Sequence, residues 1–318
     1  MRYIGVDIGG MSVKAGLTDE NGHIYLKKSV VTRATNPAED IVSDIAALIE
    51  DVILESGLTA RDIDGIGLGS PGSVYDAKGV IRYSCNINFR NTPIVAMLRE
   101  ILGIDNIEIS NDANCAALGE TMFGAGKGAM NSVTVTLGTG VGTGIVVDGK
   151  LLTGNCSAGA EGGHVQLNLG GAMCGCGKRG HFEAYASTTA LLKQTEAAML
   201  KHPESLLNQV AKEQGFDGKT VFIAAKQGDK VAKGVIRRYI KYVGTGLVSF
   251  ANVFYPEVFI IGGGISKEGD TLIKPLQKFV SRNVYGAEYN PPIKVVAATL
   301  GNDAGIIGAA ALAMNKKA

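Results

Sequence analysis

Apolar residues open the chain as one run, Tyr3-Ile4-Gly5-Val6-Asp7-Ile8, which stops at Gly9-Gly10. Beyond it, apolar and polar positions alternate on both sides of Asn21-Gly22. That pattern predicts an antiparallel hairpin, because Asn-Gly adopts the positive φ angles a tight turn needs. From Asn36 the period lengthens. Asn36 can cap a helix, Pro37 suits its first turn, and Ile41, Ile45, Leu48, Val52 and Ile53 share one face. Residues 63–72, IDGIGLGSPG, read as a buried strand entering a loop, and residues 106–124 as a strand that turns into a helix at Asn111-Asp112.

The opening rhythm then returns. Residues 133–152, VTVTLGTGVGTGIVVDGKLL, again read strand, glycine-rich turn, strand, Asp-Gly turn, strand. Residues 3–26 and 133–152 look like one three-stranded unit used twice, which predicts a duplicated fold of two lobes with a ligand between them. A long helix is expected over 234–254, a buried strand ending in three glycines over 257–266, and a closing small-residue helix over 303–316. Strands alternating with helices define an α/β class with partly parallel sheets.

Composition narrows the function. The 318 residues are 46% hydrophobic and 19% charged with a net charge of +1, which gives no reason to expect a nucleic-acid partner. No apolar run reaches membrane-spanning length without charges or glycines, and MRYIGVDIGG reads as a strand rather than a signal peptide. Five cysteines, two of them separated by one residue, do not form a disulfide framework, and a reducing cytoplasm is expected.

The 44 glycines fall at the ends of apolar runs. Three clusters, Asp7-Ile8-Gly9-Gly10, Leu137-Gly138-Thr139-Gly140 and Gly262-Gly263-Gly264, offer main-chain N–H groups as phosphate cradles. No stretch matches the P-loop pattern. Gly67, Gly69 and Gly72 match the dinucleotide string, yet residues 73–84, SVYDAKGVIRYS, do not open a helix. No ribose-binding acid stands at the required distance either, so that reading is rejected.

Taken in order, DIGGMSVKAGLTD, NDANCAALGE, LGTGVGTGI, GAEGGHV…CGCGKRGHFEAYAS and IIGGGIS resemble the motifs of the ROK family (repressors, open reading frames and kinases) over essentially the whole chain. Within it the chain looks most like the ATP-dependent glucokinases. The resemblance implies an actin-like ATPase (ribonuclease H-like) fold with a duplicated βββαβα core. The smaller lobe would comprise residues 1–112 and 301–318 and the larger 113–300, with hinges near 112–115 and 298–303. It implies ATP-dependent phosphorylation of a hexose, glucose first, with fructose, mannose, N-acetylmannosamine, N-acetylglucosamine or a β-glucoside as alternatives. Polyphosphate is a further candidate donor.

By the same resemblance Asp112 is the catalytic base, against the plain alternative that it caps the helix after it. Ser70, Gly72, Asn86, Asn111, Asp112, Glu161, His164 and Glu183 surround the sugar. Asp7, Gly9, Gly10, Ser12, Lys14, Gly138, Thr139, Gly140, Gly262, Gly263 and Gly264 serve the nucleotide, with Asp7 also orienting Mg²⁺ through water. The family's zinc spacing is met by His164, Cys174, Cys176 and His181, with histidine where a cysteine is usual, and the metal would brace the sugar-contacting loop. Met11 stands where the family usually has threonine, and Phe89 where glucokinases often carry tryptophan, which would keep an aromatic wall. ROK relatives also include sugar-responsive repressors with a DNA-binding domain ahead of the first motif. With DIGG starting at residue 7, no such domain is expected. A non-catalytic sugar-sensing protein is the remaining rival, and a homodimer or homotetramer is the assembly the resemblance implies.

Overall fold

The computed structural model describes residues 1–315; Lys316, the last residue of the expected closing helix, lies outside them. The first part of the chain forms β1 (Arg2–Ile8), β2 (Ser12–Asp19), β3 (Ile24–Val31), α1 (Ala38–Glu55) and β4 (Gly65–Ser70). β5 (Ser73–Tyr75), β6 (Val80–Tyr83), β7 (Arg90–Thr92), α2 (Ile94–Leu102), β8 (Ile107–Asn111) and α3 (Asp112–Phe123) come next. Then come β9 (Ser132–Leu137), β10 (Val141–Val147), β11 (Lys150–Leu151), α4 (Glu183–Ala186), α5 (Thr188–Lys201) and α6 (Leu206–Gln214). The remainder is α7 (Thr220–Lys226), α8 (Lys230–Phe254), β12 (Val258–Gly262), α9 (Asp270–Asn283), β13 (Lys294–Ala297) and α10 (Ala304–Asn315).

One sheet has the order β3-β2-β1-β4-β8 and another β11-β10-β9-β12-β13. In the first, β1, β2 and β3 pair antiparallel while β4 and β8 add in parallel. In the second, β10 and β11 are antiparallel, and β12 pairs in parallel with β9 and β13. The repeat read from two hairpins is thus a repeat of whole sheet topology. The chain forms two compact units, residues 1–130 with 144–160 and 299–318, and residues 131–143 with 161–298.

In the first unit, α1 buries Ile41, Ile45, Leu48, Val52 and Ile53 as the spacing predicts. Its cap differs by one residue. Pro37 occupies the cap position and its carbonyl accepts from Asp40 and Ile41 N–H at 3.1 and 3.2 Å, so Asn36 falls outside the helix. The hairpin forms around Asn21-Gly22, but its turn differs from the expected one: only Gly22 takes a positive φ, 76°, and its N–H donates to the Asp19 carbonyl at 3.1 Å. Gly67, the opening glycine of the rejected dinucleotide string, belongs to β4, and the chain runs from there into β5 without a helix. A Cβ there would collide with the Ala309 carbonyl, and one at Gly308 with the Cys115 carbonyl. Part of the chain's glycine therefore serves close packing of α10 on β4 and α3.

Glu120, on α3 and 2% exposed, was not singled out by the sequence. Its carboxylate accepts backbone N–H bonds from Ala125 at 2.9 Å, Thr299 at 2.9 Å and Leu300 at 2.7 Å. It holds the segment entering α10 against α3. Removing it leaves three donors without their acceptor, each costing on the order of 1–3 kcal/mol if it stays dry. Glu120→Ala is expected to lower unfolding stability by about 3 kcal/mol or more in a denaturant titration. A loss below about 1 kcal/mol would show that water or local rearrangement replaces the carboxylate.

Candidate active site

The carboxyl ends of parallel strands gather ligand-facing groups, because backbone and side chains there leave the sheet together. In the first unit β1, β4 and β8 are neighbours, with Asp7 opposite Gly69 and Ser70 opposite Asn111. That register brings Asp7, Ser70, Asn111 and Asp112 to one edge from three distant parts of the sequence. Asn111 donates through Nδ2 to the carbonyl of Gly72, whose φ of 93° suits glycine. A Cβ at Gly10 would lie 3.4 Å from that of Asn86, so the first glycine turn and Asn86 are also neighbours. The turn is closed by Gly9 N–H to the Ser12 carbonyl at 3.0 Å and by the Thr32 hydroxyl to the Gly9 carbonyl at 2.6 Å. Thr32 gave no signal in the sequence. Met11 is 87% exposed on this turn. Phe89 is fully buried in the first unit's apolar core, so it has no surface to offer as a wall to ligand.

Asn111, not Asp112, is the cap residue of α3, and its side chain accepts from Ala113 N–H at 2.9 Å. Asp112 Oδ1 shares that donor at 2.8 Å, which leaves its other oxygen outside the bond. Burial raises the Asp112 carboxyl above its ordinary value of 3.8, against the lowering effect of the Ala113 hydrogen bond. Asp7 is raised as well, mainly by burial; Lys14, whose Nζ lies 3.9 Å away, opposes this, and the Asp112 charge adds to it. Asp7 abuts Gly305 in the first turn of α10, where a helix favours an anion.

Both shifts have the same sign in stability. Each folded carboxyl holds its proton more tightly than the unfolded chain does, so stability from these groups is full at low pH and falls as pH rises through the interval above 3.8. Asp112→Asn is therefore expected to raise the melting temperature at neutral pH. A fall would show that the carboxylate is stabilised there.

In the second unit, β9 ends at Leu137 and the adjacent parallel β12 at Gly262, with Gly262 opposite Thr136. The second and third glycine turns, Gly138-Thr139-Gly140 and Gly262-Gly263-Gly264, are thus side by side. Gly263 needs its φ of 86°, and a Cβ there would strike the Leu137 carbonyl. Gly138 N–H closes its turn on the Gly140 carbonyl at 3.0 Å, and Thr189 Oγ1 holds the Thr139 carbonyl at 2.8 Å.

The histidine–cysteine stretch forms a compact knuckle. One donor atom each from His164, Cys174, Cys176 and His181 lies within 4.8 Å of the others. Cys174 Sγ is 3.8 Å from His164 Nδ1, and Cys176 Sγ 3.2 Å from His181 Nδ1. Zinc bond lengths in a tetrahedron put sulfur and nitrogen about 3.6 Å apart, so the donor set fits that ion. Histidine at 181 completes the quartet, and its backbone forms an antiparallel bridge with Gln166. Burial pushes the Cys174 thiol up to about 11. The knuckle is tied to its unit by the Tyr185 hydroxyl, which accepts from Ala172 N–H at 2.7 Å. Glu183 accepts from Cys174 Sγ at 3.2 Å and, through its other oxygen, from Val141 N–H at 3.0 Å. Glu161 is exposed, and its carbonyl accepts from His164 N–H at 3.0 Å.

Two sheets of one topology, each with glycine turns or acids at the carboxyl ends of its parallel strands, define the actin-like ATPase class of fold. A family model described as "ROK family" matches residues 3–316, and the chain belongs to that family. It is 38% identical to a glucokinase of Streptomyces coelicolor over 314 residues, 98% of this chain and 96% of that protein. A ROK family glucokinase from Streptomyces griseus, solved with glucose and AMPPNP, is 38% identical at a TM-score of 0.78, covering 99% of this chain and 100% of that one. The ROK hexokinase of Thermus thermophilus is 32% identical at a TM-score of 0.83, over 100% and 99% of the two chains.

Proposed function

We propose that the chain transfers the terminal phosphoryl group of ATP to a hexose hydroxyl, converting glucose to glucose 6-phosphate. The observation that carries this reading is Asp112. It is a desolvated carboxylate at the end of β8, beside Asn111, which takes the cap position. The similarity to a glucokinase solved with glucose and AMPPNP supports both substrates.

In this reading the sugar hydroxyl gives its proton to Asp112 as its oxygen attacks the terminal phosphorus, and ADP leaves from the opposite side. Asn111, Ser70, Gly72, Asn86, Glu161, His164 and Glu183 supply the sugar contacts. Paired hydrogen bonds give discrimination, since a sugar lacking one hydroxyl leaves a polar group without a partner. The three glycine turns hold the nucleotide, with Lys14 and Ser12 at the first. Mg²⁺, oriented by Asp7 through water, would offset phosphate charge. Zn²⁺ on His164, Cys174, Cys176 and His181 would fix the loop that presents Glu161 and Glu183. All five cysteines are free thiols, which supports a reducing, cytoplasmic setting.

A coupled assay with ATP over glucose, mannose, fructose, N-acetylmannosamine, N-acetylglucosamine and a β-glucoside tests the reading, with polyphosphate as a second donor. The highest kcat/KM is expected for glucose with ATP. Another sugar ahead by tenfold or so would replace glucose, and no turnover with any would end the kinase reading. Light scattering decides between dimer and tetramer.

A further inference from the structure

A cavity of about 530 Å³ lies within the first unit, lined by none of the residues assigned above to sugar, nucleotide or metal. That volume falls in the range of small-molecule sites. One wall is β8, the edge strand of its sheet, and Leu118, Leu151 and Leu312 give it an apolar side. Ser110, on β8, is 3% exposed as a residue and lines the cavity, where it places a hydroxyl among the lining groups.

The charges around the cavity choose the ligand. Lys78, Arg99 and Lys150 line it together with Asp76 and Glu108. Asp76 is already engaged, accepting from the Ser157 hydroxyl and from Ala77 N–H. Lys150 has no ion pair among the described residues, whereas Arg99 uses Nε and one Nη on the carbonyls of Asp105 and Ile107. Three cations against two acids leave the lining with an excess of one positive charge, and Lys78 also lies over the Tyr75 ring.

We propose that this cavity is an effector site for a small organic anion, a phosphate ester or a carboxylate, whose charge meets Lys150 and Lys78 and whose polar end meets Ser110. The site is coupled to the chemistry by one covalent path. Ser110 directly precedes Asn111 and Asp112, so a ligand that fixes Ser110 biases the strand end that presents the base. Binding stands apart from the kinase reading, and only the effect on turnover rests on it.

Calorimetric titration of the full chain with glycerol 3-phosphate and, separately, pyruvate, without sugar or nucleotide, tests the site. At least one probe is expected to bind with Kd near or below about 1 mM. Lys150→Glu and Ser110→Ala should each weaken it by roughly tenfold or more. Lys150 is exposed and Ser110→Ala removes one oxygen, so both variants should fold and keep turnover in the absence of the anion. The phosphate-ester arm and the carboxylate arm identify the anion. No heat from either probe at about 10 mM, or equal binding by both variants, overturns the proposal.

Discussion

Asp112→Asn is expected to abolish most turnover, lowering kcat by at least about a hundredfold while glucose binding is nearly unchanged. The substitution keeps size and keeps an oxygen that can accept from Ala113 N–H, so α3 and its Asn111 cap stay in place. What it removes is the capacity to take a proton. The lower end of general-base effects is used because positioning and phosphate neutralisation survive. The wild-type acid limb of kcat/KM should lie above the ordinary carboxylate value of 3.8, because burial makes Asp112 hold its proton to higher pH. Retained turnover in the asparagine variant would mean that Asp112 is structural and that another group takes the proton.

The second large effect is expected at the histidine–cysteine knuckle. Purified protein should carry one zinc per chain by atomic absorption. His181→Ala and Cys176→Ser should each weaken zinc binding by at least about a hundredfold, whereas His181→Cys restores the usual family quartet and keeps the metal. The pH dependence has a defined sign: the Cys174 thiol, raised to about 11 by burial in the metal-free chain, must give up its proton to coordinate, so affinity should rise with pH. Metal-free protein is expected to lose glucose affinity by about 10–100-fold, because Glu161 and Glu183 flank the braced loop. Zinc-free protein with unaltered sugar affinity would make the knuckle dispensable.

Much of this chain was legible from local pattern. The hairpins at Asn21-Gly22 and Asp148-Gly149, the apolar face of α1 and the turn from β8 into α3 all appear where side-chain period and turn residues put them. The quartet of His164, Cys174, Cys176 and His181 was legible through the resemblance to the ROK family, whose zinc spacing this short segment keeps, and its donor atoms do lie close together. Residue types within a few positions of each other decide these features. Tertiary structure alone decided which strand ends are neighbours. Asp7, Ser70 and Asn111 share an edge because β1, β4 and β8 pair in parallel, and parallel pairing needs long crossovers whose partners no short window encodes. The same holds for Glu120 gripping Thr299 and Leu300, and for the glycines that let α10 lie against β4 and α3. A buried carboxylate or a missing Cβ takes its meaning from the atoms opposite it, and in a protein interior packed without gaps those atoms are fixed only when the whole chain has folded.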